Sequence, residues 1–507
     1  MTDPYATPTS ETPFQILVLA DLSGRANRGL QETGRALGAR KPLAVDRDDL
    51  DAVVRRLQPE LHLTTGDELG DQVTLTFTEL DDFDPDQIVR RCPLFGRLRD
   101  LRSRLDDERT FAAASTEVQS WSAAPQSPGD ASAPDPETPA APEGNAGVSV
   151  TDVFGDNFMD QVLDASSASD AGDDWDAVVR GIAGPALRKI TVPGRAPEQD
   201  ELVAFVDGLM AEQLRTILHH PDFQALEAAW RSIYEMTRRL RTGPLLKLFV
   251  LDVSSAEIRA DLAQKDVTAA GLHRIVVEQT VGIAGANPWT LIVGDYTFDA
   301  TPQDVTVLLR MSKLARAAGA AFLAGADGKV VGCEDVSRTP EVADWTHPGD
   351  PAGHKVWDVL RGLPEASLLG LVWPRYLVRQ PYGAAADPCE DFPFEELSGR
   401  PGHGEYLWGN GAFVAAIALA SAFAEHGWEL LRGYDPEMAD LPTHTYDDEG
   451  DPMLLPCAEA WVTISASEVV ADKGVMPLLS VRHQGAVRLA RLNSLASPGV
   501  TLVGRWS

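Results

Sequence analysis

Two adjacent histidines, His219 and His220, stand at the end of an apolar-periodic stretch and immediately before Pro221. Such a pair can anchor a transition metal or move protons, but a metal needs further ligands converging on it, and none stands at a recognisable spacing. The expected role is packing at a helix C-terminus, where imidazole complements the macrodipole. Gly325-Ala326-Asp327-Gly328-Lys329 resembles a phosphate loop only superficially. Its first glycine is misplaced and Val330 follows the lysine where a hydroxyl is required, so a tight turn is expected. The acidic run from Asp447 to Asp451 lacks the twelve-residue calcium-loop pattern and reads as a solvated turn. HExxH, GxxxxGK[ST] and GxSxG are all missing from the sequence. Cys92, Cys333, Cys389 and Cys457 are widely separated with no CxxC, which suggests buried thiols in a reducing compartment. No catalytic residue, metal ligand or cofactor is therefore expected. A ligand in the crevice beyond the strands' carboxyl ends would need a coupled set of titratable residues, which the sequence does not display.

The elements that would position these residues are set within 507 residues that are 44% hydrophobic and 24% charged. Lys plus Arg total 44 against 76 Asp plus Glu, a formal charge of −32. That balance argues against tracking nucleic acid phosphates and against an anionic membrane surface. Met1 to Pro13 has no basic and apolar signal pattern, and Ala412 to Ala424 is too short to cross a bilayer, so a cytoplasmic location is expected. From Ala112 to Asp176 there are thirteen acids and no Lys, Arg or His, with six prolines between Pro125 and Pro142. This composition reads as a linker. The expected organisation is a small domain over 1–111, a Pro/Ala/acidic linker over 112–151, an acidic segment with a short amphipathic helix over 152–196, and a larger domain over 197–507.

The expected fold class is α/β: a small α+β module followed by a larger layered domain with a mixed sheet. In the first part, Phe14 to Ala20 (FQILVLA) is a buried strand, Asp46 to Leu57 a helix, and Glu60 to Thr65 and Gln72 to Leu80 strands. Pro93 to Leu105 follows as a helix. In the second part, Leu202, Phe205, Val206, Leu209 and Leu214 form the stripe of a long helix that Pro221 interrupts. Strands are predicted over Leu245 to Val253, Trp289 to Tyr296, Ala320 to Ala326 and Ala460 to Ser465. Ser254 to Glu257 reads as a capping box, Thr301-Pro302 as a helix start, and Gly411 to His426 as a helix packed through alanines. Within the acidic segment, Val153, Phe154, Phe158, Met159, Val162 and Leu163 make a small apolar island flanked by aspartates. It suits either a helix docked on its own domain or a peptide offered to another protein's groove.

Several blocks carry a family resemblance. His219-His220-Pro221-Asp222-Phe223, continuing to Trp230-Arg231, resembles the hallmark of the large subunit of the bacterial type VI secretion contractile sheath. Leu291 to Tyr296, then Pro374-Arg375-Tyr376 through Arg379 to Tyr382-Gly383, then Phe392 to Glu396 and Tyr406-Leu407-Trp408-Gly409-Asn410 are similar to later blocks of that subunit, in the same order. Phe14 to Arg25, Lys41-Pro42 and Leu80 to Asp86 resemble the small sheath subunit. The chain thus looks like a small (TssB-like) subunit fused to a large (TssC-like) one lacking its usual C-terminal part.

The resemblance implies a structural protein and not an enzyme. Its subunits polymerise around an inner tube and contract to drive it outward. The implied partners are other sheath subunits, the inner-tube protein, the baseplate and the AAA+ unfoldase that recycles contracted sheath, with no nucleic acid and no membrane insertion. The unfoldase would take the island at Val153 to Leu163. The signature residues His219, His220, Pro221, Phe223, Trp230, Arg231, Pro374, Arg375, Tyr382, Tyr406, Trp408 and Asn410 are expected to serve packing. The family's C-terminal linking segment is expected to be truncated or absent here. That leaves a second reading, a sheath-like adaptor or regulator that binds sheath, baseplate or unfoldase without polymerising.

Overall fold

A computed structural model describes residues 8–65, 71–122, 183, 199–335, 337, 341–345, 351–397, 401–448 and 450–507. Its centre is a nine-stranded mixed sheet. In chain order the strands of the molecule are β1 (Phe14–Ala20), β2 (Leu43–Val45), β3 (Glu60–Thr65), β4 (Asp71–Thr76), β5 (Leu246–Asp252), β6 (Leu291–Phe298), β7 (Ala321–Ala326) and β8 (Leu369–Trp373). They continue with β9 (Tyr376–Leu377), β10 (Trp408–Gly409), β11 (Glu437–Met438), β12 (Thr445–Asp448), β13 (Asp451–Leu454), β14 (Val475–Ser480) and β15 (Val487–Leu489). The large sheet runs β11-β15-β14-β8-β7-β6-β1-β5-β2, while β3-β4, β9-β10 and β12-β13 pair separately.

β1 is an interior strand of this sheet. It pairs in parallel with β5 along its whole length, Phe14 opposite Leu246 to Ala20 opposite Asp252, and with β6 from Ile16 to Leu19. All seven of its residues are buried. A strand buried on both faces carries a continuous apolar run with no polar alternation, which is what FQILVLA supplies. Parallel pairing extends through β7, β8 and β14, and the antiparallel strands β2, β15 and β11 close the two edges.

Each face of the sheet carries its own core. Phe14, Ile16 and Val18 of β1 face a layer built from helices Gln199–Leu218, Pro221–Arg239 and Ala412–His426 together with the β3-β4 hairpin and helix Pro93–Asp106. Leu17 and Leu19 face the other layer, with helices Ser255–Leu262, Pro302–Ala318, Pro351–Arg361 and Ile464–Asp472. The period-2 alternation of one strand thus feeds both cores.

The expected caps form. Ser254 Oγ accepts from Glu257 N–H at 3.2 Å while the Glu257 carboxylate accepts from Ser254 N–H at 2.9 Å. Thr301 caps Pro302–Ala318. Three expectations are corrected. Ala460 to Ser465 is not a strand: Thr463 N-caps helix Ile464–Asp472, its hydroxyl accepting from Ala466 N–H, and this local cap prevails over the apolar run before it. The strand expected to reach Leu80 stops at Thr76, because Asp82 accepts from the N–H groups of Thr78 and Glu79 and turns the chain into a 3₁₀ turn, Leu80–Phe83. Gly325 and Ala326 belong to β7, and the turn that follows, Gly328–Val331, is opened by the Asp327 carboxylate. Residues 123–182 and 184–198, which include the acidic island from Val153 to Leu163, lie outside the described residues. Among the described residues no helix is long and apolar enough to cross a membrane.

Candidate functional site

The signature residues of the C-terminal part converge on residues of the N-terminal part. Pro221 opens helix Pro221–Arg239, and His220 is its N-cap, its Nδ1 accepting from Asp222 N–H at 3.2 Å. One turn in, Phe223 packs against Phe83 and Phe77, with ring centroids 5.8 and 6.1 Å away. Two turns further, Trp230 is fully buried and its indole N–H donates to the Leu22 carbonyl just beyond β1, at 3.0 Å. Arg231 donates to Glu227 at 2.7 Å and reaches across to Asp84 at 3.1 Å and to the Tyr382 hydroxyl at 2.8 Å. Tyr382 in turn donates to Asp84 at 2.9 Å.

Behind this contact lies a sealed ionic network. Arg379 is 8% exposed and sits between Glu227 and Glu396, which are 0% and 1% exposed, at 2.8 and 2.7 Å. Its guanidinium lies 4.4 Å from the centre of the Tyr382 ring. Glu396 also accepts from Tyr382 N–H at 2.8 Å, and His219 Nε2 stands 3.5 Å from it. One charged chain thus runs from helix Pro221–Arg239 through the 379–396 segment to Asp84 of the N-terminal part. Burial pushes the Asp84 carboxyl up, against the pull of Arg231 and Tyr382.

A second ionic cluster fastens the turn after β1. Glu257 is fully buried and takes Arg25 at 2.9 Å and Arg40 at 2.6 Å, and Asp252 at the end of β5 accepts from Leu22 N–H, Ser23 N–H and the Ser23 hydroxyl. Gly24 in this turn has φ +72°, and a Cβ there would meet the Glu60 carbonyl at 2.3 Å, so only glycine fits. Further along, Asp86 accepts from the N–H groups of Glu390 and Asp391, while Arg90 holds the Asp391 carboxylate with two bonds of 3.0 Å.

Of the remaining signature residues, Arg375 and Asn410 line a cleft of about 1170 Å³ at the carboxyl ends of β6, β7 and β8, while Tyr406 and Trp408 pack with Leu377 in a small cluster of their own. Pro374 follows a cis bond, and Arg375 binds Glu459, which also meets His403 Nε2 at 2.9 Å. Trp408 donates to the His403 carbonyl, and Tyr406 meets His444 Nδ1 at 2.9 Å. Asn410 donates to the Tyr296 carbonyl and accepts from Ala412 N–H, which starts helix Ala412–His426. Burial pushes the nearby Asp295 carboxyl up to about 7, with Asn410 opposing the shift. Among the described residues no three His, Cys, Asp or Glu side chains converge as metal ligands. The ionic groups at these positions are committed to one another, so their evident chemistry is that of a joint.

The signature basic and aromatic residues stand out in the sequence, but nothing there pairs them with the acids Glu227, Glu396, Glu459 and Asp84. The available signal was position. Glu227 falls on the apolar face that Phe223, Leu226 and Trp230 define, where a carboxylate needs a buried cation.

Burial alone would raise Glu257, Glu396 and Glu459, yet their arginine, histidine and N–H neighbours overrule it and hold all three at about 2. Unfolded glutamates titrate near about 4.3. A carboxyl lowered by folding stabilises fully above the unfolded value, and that contribution is lost as pH falls through the folded one. The stability these three carboxyls contribute is therefore expected to stay nearly whole down to about pH 5 and then fall steeply towards pH 2, while the raised Asp295 carboxyl adds a gain as pH falls through about 7. Glu459→Gln should flatten that fall in scanning fluorimetry across pH, and an unchanged slope would contradict the assignment.

Comparison with known proteins gives two family matches in tandem. Residues 200–496 match the VipB model, described as the EvpB tail sheath N-terminal domain, and residues 5–120 match the type VI secretion system VipA model. The type VI secretion system sheath protein TssC1 of Pseudomonas aeruginosa is 32% identical over 307 residues, 59% of this chain and 61% of that protein. Sheath protein TssB1 of the same organism is 27% identical over 110 residues, 21% of this chain and 62% of that protein. The chain thus spans a little over three fifths of the length of each curated relative. The seam described above is where the VipA-like and VipB-like parts meet, and the chain belongs to the tail-sheath family of type VI secretion, with its TssB-like and TssC-like parts fused in one polypeptide.

Proposed function

We propose that this chain is a subunit of a bacterial cytoplasmic contractile sheath, polymerising as a helical tube around an inner tube and contracting to drive it outward. The observation that carries this reading is the place of β1. The TssB-like part supplies an interior strand to the sheet of the TssC-like part, so the two make one building block. Covalent connection fixes their ratio at one to one and leaves no TssC-like sheet without that interior strand. The partners on this reading are other copies, the inner-tube protein, the baseplate and a recycling unfoldase. Electron microscopy of the purified chain, alone and with the cognate inner-tube protein, should show tubes. Persistent single particles that join no sheath would refute polymerisation, and if they still captured one sheath component in a pull-down they would favour an adaptor.

The unfoldase is proposed to take the segment containing Val153, Phe154, Phe158, Met159, Val162 and Leu163. Replacing Phe154 and Phe158 together by alanine should abolish binding to an unfoldase N-terminal domain while leaving the protein folded by circular dichroism. Undiminished binding would remove the segment from that role.

A further inference from the structure

We propose that Arg505, beside Trp428 at the N-terminal end of β1, seats a carboxylate of the chain's own acidic segment, residues 152–164, whose apolar side chains cover the adjoining aromatic patch. The first observation is a cation without a counter-charge. Among the described residues, Arg505 Nε and Nη1 are buried without a hydrogen-bond partner, and the neighbouring indole N–H of Trp506, a residue only 8% exposed, has none either. Burial lowers the basicity of the guanidinium with no acid opposing it. Three orphaned donors on consecutive residues form a locus that lacks an acceptor. Buried donors in folded proteins are almost always paired, and a buried unpaired cation is costly.

The second observation is the surface around it. The Arg505 guanidinium lies 5.9 Å from the Trp428 ring centre, Trp428 and Trp506 both pack on Phe14, and Trp428 donates to the Thr12 carbonyl. Leu431, one turn beyond Trp428, is 42% exposed, and Leu245, whose carbonyl accepts from Phe14 N–H, is 47% exposed. Nearby Arg432 is matched by Glu429 at 2.6 Å, whereas Arg505 meets no acid among the described residues. The surface therefore asks for an acidic peptide with large apolar side chains.

The occupant is argued from the chain itself. Asp152, Asp156, Asp160 and Asp164 bracket Phe154, Phe158 and Val162. The segment is tethered on one side to helix Phe111–Ser122 and on the other to helix Gln199–Leu218. About thirty residues separate Ser122 from Asp152, an r.m.s. reach of roughly 30 Å for a flexible tether, which is comparable to the radius of a domain of this size. Aromatic burial and a desolvated ion pair act together in such docking, the second deciding the register. The inference does not depend on polymerisation.

The test uses the full chain with residues 150–166 replaced by Gly-Ser of equal length, and a fluorescent peptide of residues 150–166 added back. Anisotropy should show saturable binding, weakened about tenfold or more by Arg505→Met or by Asp→Asn changes in the peptide, as loss of a charge-assisted bond requires. Because Arg505→Met removes an unpaired buried cation, that variant should melt no lower than its parent, which controls for misfolding. In the second arm, the Gly-Ser replacement should lower the melting temperature of the parent but not of Arg505→Met. Absent binding, or equal affinity for the two proteins, overturns the proposal. So does pairing through Arg505 between two copies instead of within one, read as a concentration-dependent dimer in mass photometry.

Discussion

Replacing Arg379 by alanine is expected to destabilise the protein by about 3–5 kcal/mol, because it strands two carboxylates in the interior. Glu227 and Glu396 are sealed from solvent, and Arg379 is the cation they share. Arg231 still reaches Glu227, but Glu396 retains only the Tyr382 N–H and His219 at 3.5 Å. Urea unfolding of the variant should show a midpoint shift of that size. Arg379→Met combined with Glu227→Gln and Glu396→Gln should recover much of the loss, since the cost lies in the unpaired charges more than in the missing bonds. If the single variant lost less than about 1 kcal/mol, the network would not be holding the seam together.

Val18→Asp is expected to cost more than about 4 kcal/mol and to leave little folded protein. Val18 is fully buried in β1, opposite Val250 on one side and Val293 on the other, and faces the layer that the two parts share. Neither flanking strand offers a carboxylate there a cation on that face of the sheet. The damage should extend to the TssC-like part, because β5 and β6 lose the strand that separates them. Circular dichroism and limited proteolysis of the soluble fraction would read this directly. Ala44→Asp, at an exposed position of edge strand β2, serves as the control and should shift stability by no more than about 0.5–1 kcal/mol. Survival of a protease-resistant TssC-like core in Val18→Asp would show that β1 is dispensable to it.

Much of the local structure was legible in the sequence for identifiable reasons. The capping box at Ser254, the Thr301-Pro302 start and the Pro221 break are short-range chemistry, decided within four residues of chain. β1 was readable as a buried strand because FQILVLA has no polar alternation. Its neighbours were not readable. A parallel strand leaves no turn that ties it to its partner, and nothing in a seven-residue apolar run says whether β5 and β6 will flank it. The seam was half visible. Trp230, Arg231, Arg375 and Tyr382 stood out as unusual residues in fixed order, but packing was the only role that could be given to them. The charges that Arg231 and Arg379 meet come from Asp84, Glu227 and Glu396, which lie within the family blocks, and only the tertiary contact shows which cation each one meets. The Ala460 expectation failed because an apolar run of that length cannot tell a strand from the approach to a helix, and Thr463 decided it.

The setting of β1 also bears on how the molecule is made. Gln15 bonds to Thr290, 275 residues later, and Leu22 to Asp252, 230 residues later. At ribosomal speeds of about 5–20 residues per second, this apolar ribbon emerges roughly a quarter of a minute to a minute before both its flanks exist. For that interval the nascent polypeptide carries an aggregation-prone segment with nowhere to go, and the closing contacts are among the slowest kind to form. Translation pace and chaperone supply should therefore govern the yield of this fused protein more strongly than mature stability does.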